Sequence, residues 1–229
     1  MATTNIPGRT QLAGKRTVFV VDDHPLLRQG LALLINQQQD LEVSGEAEEA
    51  HAAMQAIARK IPDILIVDIS LNGPDGLELL KNIRASYPDL PVLILSMHDE
   101  AIYAERALRA RANGYIMKQE ATEKVLVAVR RILNGEVYLS DRMANKMLQQ
   151  YISGAPAAIQ SRISALSDRE LEVFCLIGEG RGTREIAEEL HLSIKTVETY
   201  QAHIKEKLHL HSGRELIQHA VQWKIEKTG

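Results

Sequence analysis

Three acids, a hydroxyl and an amine stand where short apolar runs end. Asp22-Asp23 follows Val18-Phe19-Val20-Val21, and Asp68 follows Ile64-Leu65-Ile66-Val67. Ser96 follows Val92-Leu93-Ile94-Leu95, and Lys118 follows Tyr115-Ile116-Met117. A carboxylate is a weak nucleophile unless its phosphoryl donor is neutralised and aligned, because phosphoryl transfer is mostly positioning and charge stabilisation. Mg²⁺ prefers hard oxygen ligands and keeps several waters, and Asp22, Asp23 and Asp68 can supply such oxygens. Lys118 would pair with Asp68 or with the phosphoryl oxygens it gains, and Ser96 would donate a hydrogen bond to them. Three carboxylates sharing one crevice repel, so at least one pKa should rise. The expectation is a Mg²⁺-assisted phosphoryl-accepting pocket with Asp68 as the acceptor. Singly, each residue has an ordinary reading. Asp23, before His24-Pro25, fits a helix cap, Asp68 a loop acid, and Ser96 and Lys118 a strand-end hydroxyl and a solvated lysine. Their coincidence on four strand ends carries the chemical reading.

The elements that must position these groups alternate over residues 16–135. Strands are expected at Thr17–Asp22, Leu41–Ala47, Asp63–Ile69, Pro91–Met97 and Gly114–Lys118. Helices are expected at Pro25–Gln38, Glu48–Lys60, Asp75–Tyr87, Glu100–Ala112 and Thr122–Asn134. In the first helix Leu26, Leu27, Leu31, Leu34 and Ile35 recur at helical spacing. Five near-continuous apolar strands interleaved with helices predict a doubly wound five-stranded parallel α/β sheet covered on both faces. In such sheets, sites form at the carboxyl ends of the strands. Asn134-Gly135 is a helix stop.

Composition narrows the class. The chain has 229 residues, 45% hydrophobic and 25% charged, with a net charge of −3, as expected of a globular chain of one large or two small domains. A single cysteine, Cys175, excludes an intrachain disulfide and a CxxC metal knuckle, and its apolar surroundings predict a small core residue. The polar N-terminus has no signal-peptide core and no run reaches membrane-spanning length, so a reducing cytoplasm and no membrane association are expected.

Residues 136–162 read as a linker with a helix at Ser140–Tyr151, followed by the small, Pro/Gly-marked Ser153-Gly154-Ala155-Pro156-Ala157-Ala158. Residues 163–229 carry only helix signals and predict a small all-α four-helix domain. Ser167-Asp168-Arg169-Glu170 is a capping box before an apolar helix, Leu171–Ile177. Thr183 is expected to cap a short helix, Arg184–Leu190, and Ser193 a longer one through Leu208, with a final helix from Ser212 to Trp223. In the Ser193–Leu208 helix, Ile194, Val197, Ile204 and Leu208 should face the core, leaving Lys195, Glu198, Thr199 and Ala202 outward. A short helix, a tight turn and a helix with a donor-rich outer face is the helix-turn-helix pattern of major-groove DNA readers. The same features fit a helical bundle whose polar face is merely solvated. Charge barely separates the two, since residues 162–229 hold ten Lys/Arg against eleven Asp/Glu. From His191 onward six Lys/Arg stand against four Glu, a modest bias compatible with phosphate contacts.

Residues 16–135 resemble the receiver domain of two-component response regulators. The resemblance rests on Asp22-Asp23, Asp68, Asp75-Gly76, Ser96, Tyr115 and Lys118. It implies Mg²⁺ binding through the side chains of Asp23 and Asp68, through water by Asp22, and through the backbone carbonyl of Ser70. It also implies that Ser96 and the aromatic Tyr115 rearrange toward the phosphoryl group. Two departures bear on loop geometry and phosphoryl lifetime. Members commonly have proline where Asn72 stands, whereas here it comes later in Asn72-Gly73-Pro74-Asp75-Gly76, and Gln119 follows the lysine in place of a common Pro or Asp.

Residues 163–226 resemble the LuxR-type output domain of the NarL/FixJ class. The matching residues are Leu166-Ser167-Asp168-Arg169-Glu170, Gly180, Glu185-Ile186-Ala187, Leu192-Ser193 and Thr196-Val197. That resemblance implies that Lys195, Glu198, Thr199 and Ala202 lie in the major groove, with Thr183, Ser193, Thr196, Tyr200, Lys205 and Lys207 nearer the phosphates. Tyr200 stands where many members have histidine. Glu198 and Ala202 stand where basic residues are common, which suggests readout of cytosine through Glu198.

Together these readings describe a DNA-binding transcriptional regulator, not an enzyme. A sensor histidine kinase or a small acyl phosphate would phosphorylate Asp68, altering the face of the fourth helix, fifth strand and fifth helix, and with it domain packing or dimerisation. Leu216, Ile217, Ala220 and Trp223 are expected to form a homodimer contact matching two operator half-sites, with a core role for Trp223 the alternative. Two rivals remain open. An aspartate-nucleophile phosphatase needs a second acid two residues after the nucleophile, where this chain has Ser70. A phosphorylation-independent DNA binder would not need the intact acceptor cluster.

Overall fold

The structure, a computed structural model, describes residues 14–71, 76–97, 100–153, 163 and 165–228. Strands β1 (Arg16–Val21), β2 (Leu41–Ala47), β3 (Ile64–Asp68), β4 (Val92–Ser96) and β5 (Gly114–Met117) form one parallel sheet in the order β2-β1-β3-β4-β5. Helices α1 (Pro25–Asn36), α2 (Ala50–Arg59), α3 (Gly76–Ser86), α4 (Glu100–Arg109) and α5 (Ala121–Leu133) connect them. Side-chain alternation along the strands divides the core in two. Val18, Val20, Ile64, Ile66 and Leu93 pack under α1 and α5, whereas Phe19, Val21, Leu65, Val67 and Ile94 pack under α2, α3 and α4. This is the doubly wound five-stranded parallel sheet expected from the alternation of apolar runs and helices. Several helices end earlier than their apolar patterns. α4 stops at Arg109 because Arg111 turns left-handed (φ 68°) and the Ala112 amide returns to the Ala107 carbonyl.

Helix α6 (Asp141–Ser153) follows, anchored at its start by Ser140, whose amide donates to Glu100 of α4 over 3.1 Å. Residues 154–158 of the expected connector, and the Asn72–Asp75 turn, lie outside the described residues. From residue 165 on, the described residues form four helices: α7 (Asp168–Gly178), α8 (Thr183–Glu189), α9 (Ile194–Leu208) and α10 (Gly213–Thr228). The capping box is present. The Glu170 amide donates to Ser167 Oγ (3.3 Å) and the Ser167 amide to Glu170 Oε2 (2.6 Å), satisfying two orphan donors at the start of α7.

Four expectations need correction here. Gly182, not Thr183, caps α8, and the Glu185 carboxylate accepts the Gly182 amide (2.7 Å), leaving Thr183 inside the first turn. Ile194 is exposed, because as the first residue of α9 it precedes the turn that packs on the core. α10 runs on to Thr228. The expected dimer stripe is also revised. Leu216, Ala220 and Trp223 are core residues, with the Trp223 ring 5.6 Å from that of Phe174 on α7; only Ile217 of the four is exposed. Trp223 and Ala220 bury because α10 must cover the apolar face of α7, whose Gly178 leaves no room for a side chain beside the Ala220 carbonyl.

The two halves share one continuous core. Helix α4 faces the output helices through Tyr103 and Arg106, and one hydrophobic cluster passes from Tyr103 and Tyr115 to Phe174, Cys175 and Trp223. The Arg106 guanidinium donates to the carbonyls of Leu166 (2.9 Å) and Ile163 (2.7 Å) and pairs with Asp168 (3.0 Å). Lys81 of α3 reaches the other oxygen of Asp168 at 3.0 Å.

Candidate functional site

The strand order reverses between β1 and β3, so the helices after them leave on opposite faces and open a crevice at their carboxyl ends. Register brings the groups to that edge. Val21 pairs with Val67, Asp68 with Leu95 and Ser96 with Met117, so Asp22 lies level with Asp68, with Ser96 one residue and Lys118 two residues further along the same edge. All four are buried. Gly76, opening α3, lies so close to the strand end that a Cβ there would stand 1.9 Å from the Asp68 carbonyl oxygen. Only glycine permits this approach.

Lys118 bridges two acids. Its Nζ is 2.6 Å from Asp68 Oδ2 and 2.8 Å from Asp22 Oδ2. Asp68 Oδ1 accepts the Ser70 amide at 3.1 Å, and Asp22 Oδ1 the His24 amide at 2.8 Å. Burial pushes the Asp68 pKa up, and the Asp22 charge adds to it, against the pull of Lys118 and the Ser70 amide. Burial works against the Lys118 ammonium, but Asp68 and Asp22 outweigh it and hold the amine protonated. The crevice is short of positive charge. Among the described residues three carboxylates share the one buried ammonium, with Asp22 Oδ2 2.8 Å from Lys118 Nζ and Asp23 Oδ1 2.7 Å from His24 Nδ1.

Ligand atoms of Asp22, Asp23, His24 and Asp68 all lie within 4.8 Å of one another. Such a set of carboxylate oxygens, with more negative charge than Lys118 offsets, suits a hard divalent cation, and Mg²⁺ fits it better than a thiolate-seeking metal. His24 was not singled out in the sequence. Its adjacency to Asp22-Asp23 was the available signal, obscured by its reading as the residue before a helix-opening proline. Tyr115 is buried on β5 with Tyr103 of α4 close by, and burial raises the Tyr103 hydroxyl well above its ordinary range. Cys175, across the domain boundary from Tyr103, is pushed by burial up to about 12 and is a structural thiol.

In the helical domain, α8 and α9 meet at a tight turn through His191, at φ 52°. Ser193 caps α9, its Oγ accepting the Thr196 amide at 3.0 Å and meeting Thr196 Oγ1 at 2.7 Å. Lys195, Glu198, Thr199 and Ala202 are exposed on one side of α9, while Val197, Ile204 and Leu208 are buried on the other. Lys205 is half-buried. Lys207 is engaged within the domain, 2.6 Å from buried Glu170. Thr183 Oγ1 accepts from Gln201 at 3.2 Å. Tyr200 lines a cleft of about 790 Å³ between the domains, together with Lys81, Arg106, Arg109 and Asp168.

Residues 18–130 match the response regulator receiver domain, and residues 164–220 match the bacterial regulatory proteins of the luxR family. The chain is 36% identical over 212 residues to the oxygen regulatory protein NreC of Staphylococcus carnosus, a match spanning 91% of this chain and 98% of NreC. The chain belongs to the LuxR-family two-component response regulators. Its receiver and LuxR-type DNA-binding domains make it a two-component transcription regulator. Among solved structures, RcsB from Salmonella enterica serovar Typhimurium, bound to promoter rprA in the presence of the phosphomimetic BeF3⁻, is 26% identical. It matches over 91% of this chain and 99% of RcsB with a TM-score of 0.58. A LuxR-family response regulator from Aurantimonas sp. is 30% identical over 61% of this chain and 99% of its own, with a TM-score of 0.56. No described helix of this response regulator is long and apolar enough to cross a membrane.

Proposed function

We propose that Asp68 is the phospho-acceptor of this regulator and that its phosphorylation controls operator binding by α9. The observation that carries the reading is the convergence of Asp22, Asp23, Asp68, Ser96 and Lys118 in one buried crevice at the strand ends. A sensor histidine kinase presents a phosphohistidine. An Asp68 carboxylate oxygen attacks phosphorus, the P–O bond forms as the P–N bond breaks, and the electron pair returns to the imidazole, which takes up a proton. Bound at Asp23, Asp68 and the Ser70 carbonyl, and through water at Asp22, Mg²⁺ would supply neutralisation of the phosphoryl oxygens. Lys118 leaves its carboxylate partners to pair with those oxygens, and Ser96 donates a hydrogen bond to them. Tyr115 moves with Ser96 and shifts its neighbours on α4, the helix that holds the output domain through Tyr103 and Arg106.

Once released, α9 presents Lys195, Glu198, Thr199 and Ala202 to base edges, and Ser193, Thr196, Tyr200 and Lys205 to phosphates, with Thr183 alongside. Tyr200 borders the receiver in the present arrangement, which supports a resting state that hinders DNA engagement. RcsB has been solved as dimers bound to DNA, which supports a homodimer on paired half-sites here. The cytoplasm suits a chain that joins a kinase to DNA. The test is phosphorylation of wild type and Asp68→Asn by acetyl phosphate, with operator affinity measured in parallel. The reading expects phosphate incorporation and tighter operator binding in wild type alone. Equal incorporation by Asp68→Asn rejects the acceptor.

A further inference from the structure

We infer that Arg169, at the start of the DNA-binding domain, is a positioning residue of the phospho-acceptor pocket, acting through its grip on the backbone carbonyl of Leu71. Arg169 Nη2 donates to Leu71 O over 2.6 Å. Leu71 lies three residues after Asp68, on the segment that also contains Ser70. The inference rests on reading Asp68 as a metal-assisted phospho-acceptor with the Ser70 carbonyl as a ligand.

The segment is held from within by its amides. Ser70 N–H donates to Asp68 Oδ1 (3.1 Å), and Leu71 N–H (3.0 Å) and Gly76 N–H (2.8 Å) both donate to the Ile69 carbonyl. The Leu71 side chain is buried. Arg169 fixes it from outside, across the domain boundary. The guanidinium is itself oriented by Glu172, whose Oε2 lies 2.7 Å from Nη1, and both side chains are largely shielded from water. A charge-assisted hydrogen bond in that setting is stronger than a neutral one in solvent. The neighbouring Asp168 is pinned by Lys81 and Arg106, so the start of α7 cannot follow the loop freely.

Peptide planarity links this grip to the metal site. The Ser70 carbonyl and the Leu71 N–H lie in one rigid plane, so any turn of that carbonyl toward a cation also turns the Leu71 N–H, which bonds Ile69 O. Leu71 must absorb the rotation, while its own carbonyl is held by Arg169. The docked output domain therefore resists any turn of the Ser70 carbonyl toward a cation. By reciprocity, filling the site weakens the Arg169 contact and favours release. This route runs through the loop after β3, and is separate from the one through α4.

The test uses the full-length protein and Mn²⁺ as a paramagnetic probe, with free ion read by electron paramagnetic resonance. Wild type, Arg169→Met, Arg169→Lys and Asp68→Asn are compared, with hydrogen exchange followed at each backbone amide. Arg169→Met should bind Mn²⁺ about fivefold or more tightly, at the lower end of coupling between sites. Its Ser70 and Leu71 amides should exchange faster, while α4 amides stay protected. Arg169→Lys, keeping a charged donor, should return toward wild type. Mn²⁺ affinity within twofold of wild type, or weaker, overturns the inference. So does faster exchange spread equally over α4, which would mean domain separation alone. Should Arg169→Met unfold, Arg169→Gln carries the same comparison. Failure of wild type to bind Mn²⁺, or equal binding by Asp68→Asn, rejects the metal pocket itself, and the inference falls with it.

Discussion

The Arg106 guanidinium lies 3.0 Å from the Asp168 carboxylate, and the two residues belong to different domains. Both side chains are mostly shielded, and Arg106 also donates to the Ile163 and Leu166 carbonyls. Removing the guanidinium leaves two carbonyls without these donors and a carboxylate that keeps Lys81 alone among the described residues, all on the docked side of the equilibrium. Arg106→Ala should therefore populate the undocked arrangement and tighten operator binding by the unphosphorylated protein, by about tenfold on the usual scale of interdomain coupling. Fluorescence anisotropy with labelled operator measures it. Unchanged affinity would mean that the docked arrangement does not hinder DNA binding.

Gly76→Ala is expected to damage the acceptor pocket selectively. The added methyl would stand 1.9 Å from the Asp68 carbonyl oxygen and 2.9 Å from Ile69 Cα, both backbone atoms that cannot swing aside. The strand end or the start of α3 must move, at a cost of about 1–3 kcal/mol or more. Thermal unfolding should show a lowered Tm, and acetyl phosphate labelling of Asp68 should slow. A normal Tm with full labelling would mean that α3 can shift without disturbing the pocket.

Asp68, Ser96 and Lys118 are legible as one group because apolar runs of three or four residues, ending in polar ones, define parallel strand ends without any long-range information. The docking contacts are not legible that way. Arg106 and Asp168 are 62 residues apart, and nothing in either local sequence distinguishes them from other charged residues on amphipathic helices. Asp168 reads naturally as the interior of a capping box, which it also is. Trp223 illustrates a different limit. α10 carries two apolar stripes, Leu216–Ala220–Trp223 and Ile217–Val221–Ile225, and periodicity alone does not say which one faces the core.

Glu170 gives the helical domain a defined acid sensitivity. Burial alone would raise its pKa, but the Lys207 ammonium and the hydrogen bonds from Ser167 outweigh burial and hold it below the usual carboxylate range. A carboxyl depressed on folding adds stability that is present above its unfolded pKa of about 4.5 and is lost as pH falls through the folded value. Wild-type Tm should therefore fall as pH drops below about 4.5, and part of that fall should be absent in Glu170→Gln. At neutral pH Glu170→Gln should cost about 1–2 kcal/mol through the weakened cap and the lost Lys207 pair. Parallel pH slopes for the two proteins would remove Glu170 from the account.

The exposed stripe of α10 predicts where two copies meet on DNA. Ile217 and Ile225 are 53% and 66% exposed, and Val221 lies between them at helical spacing. Leu216, Ala220 and Trp223 are committed to α7, so truncating Trp223 opens the core and should cost about 3–5 kcal/mol of stability, without testing association. Ile217→Glu and Ile225→Glu put charge on the exposed stripe alone. Each should leave the monomer's stability within about 0.5 kcal/mol of wild type, as for surface substitutions. In sedimentation analysis with a two-half-site operator, both variants should occupy the sites independently, whereas wild type binds as a pair. Cooperative binding by both variants would place the dimer contact elsewhere.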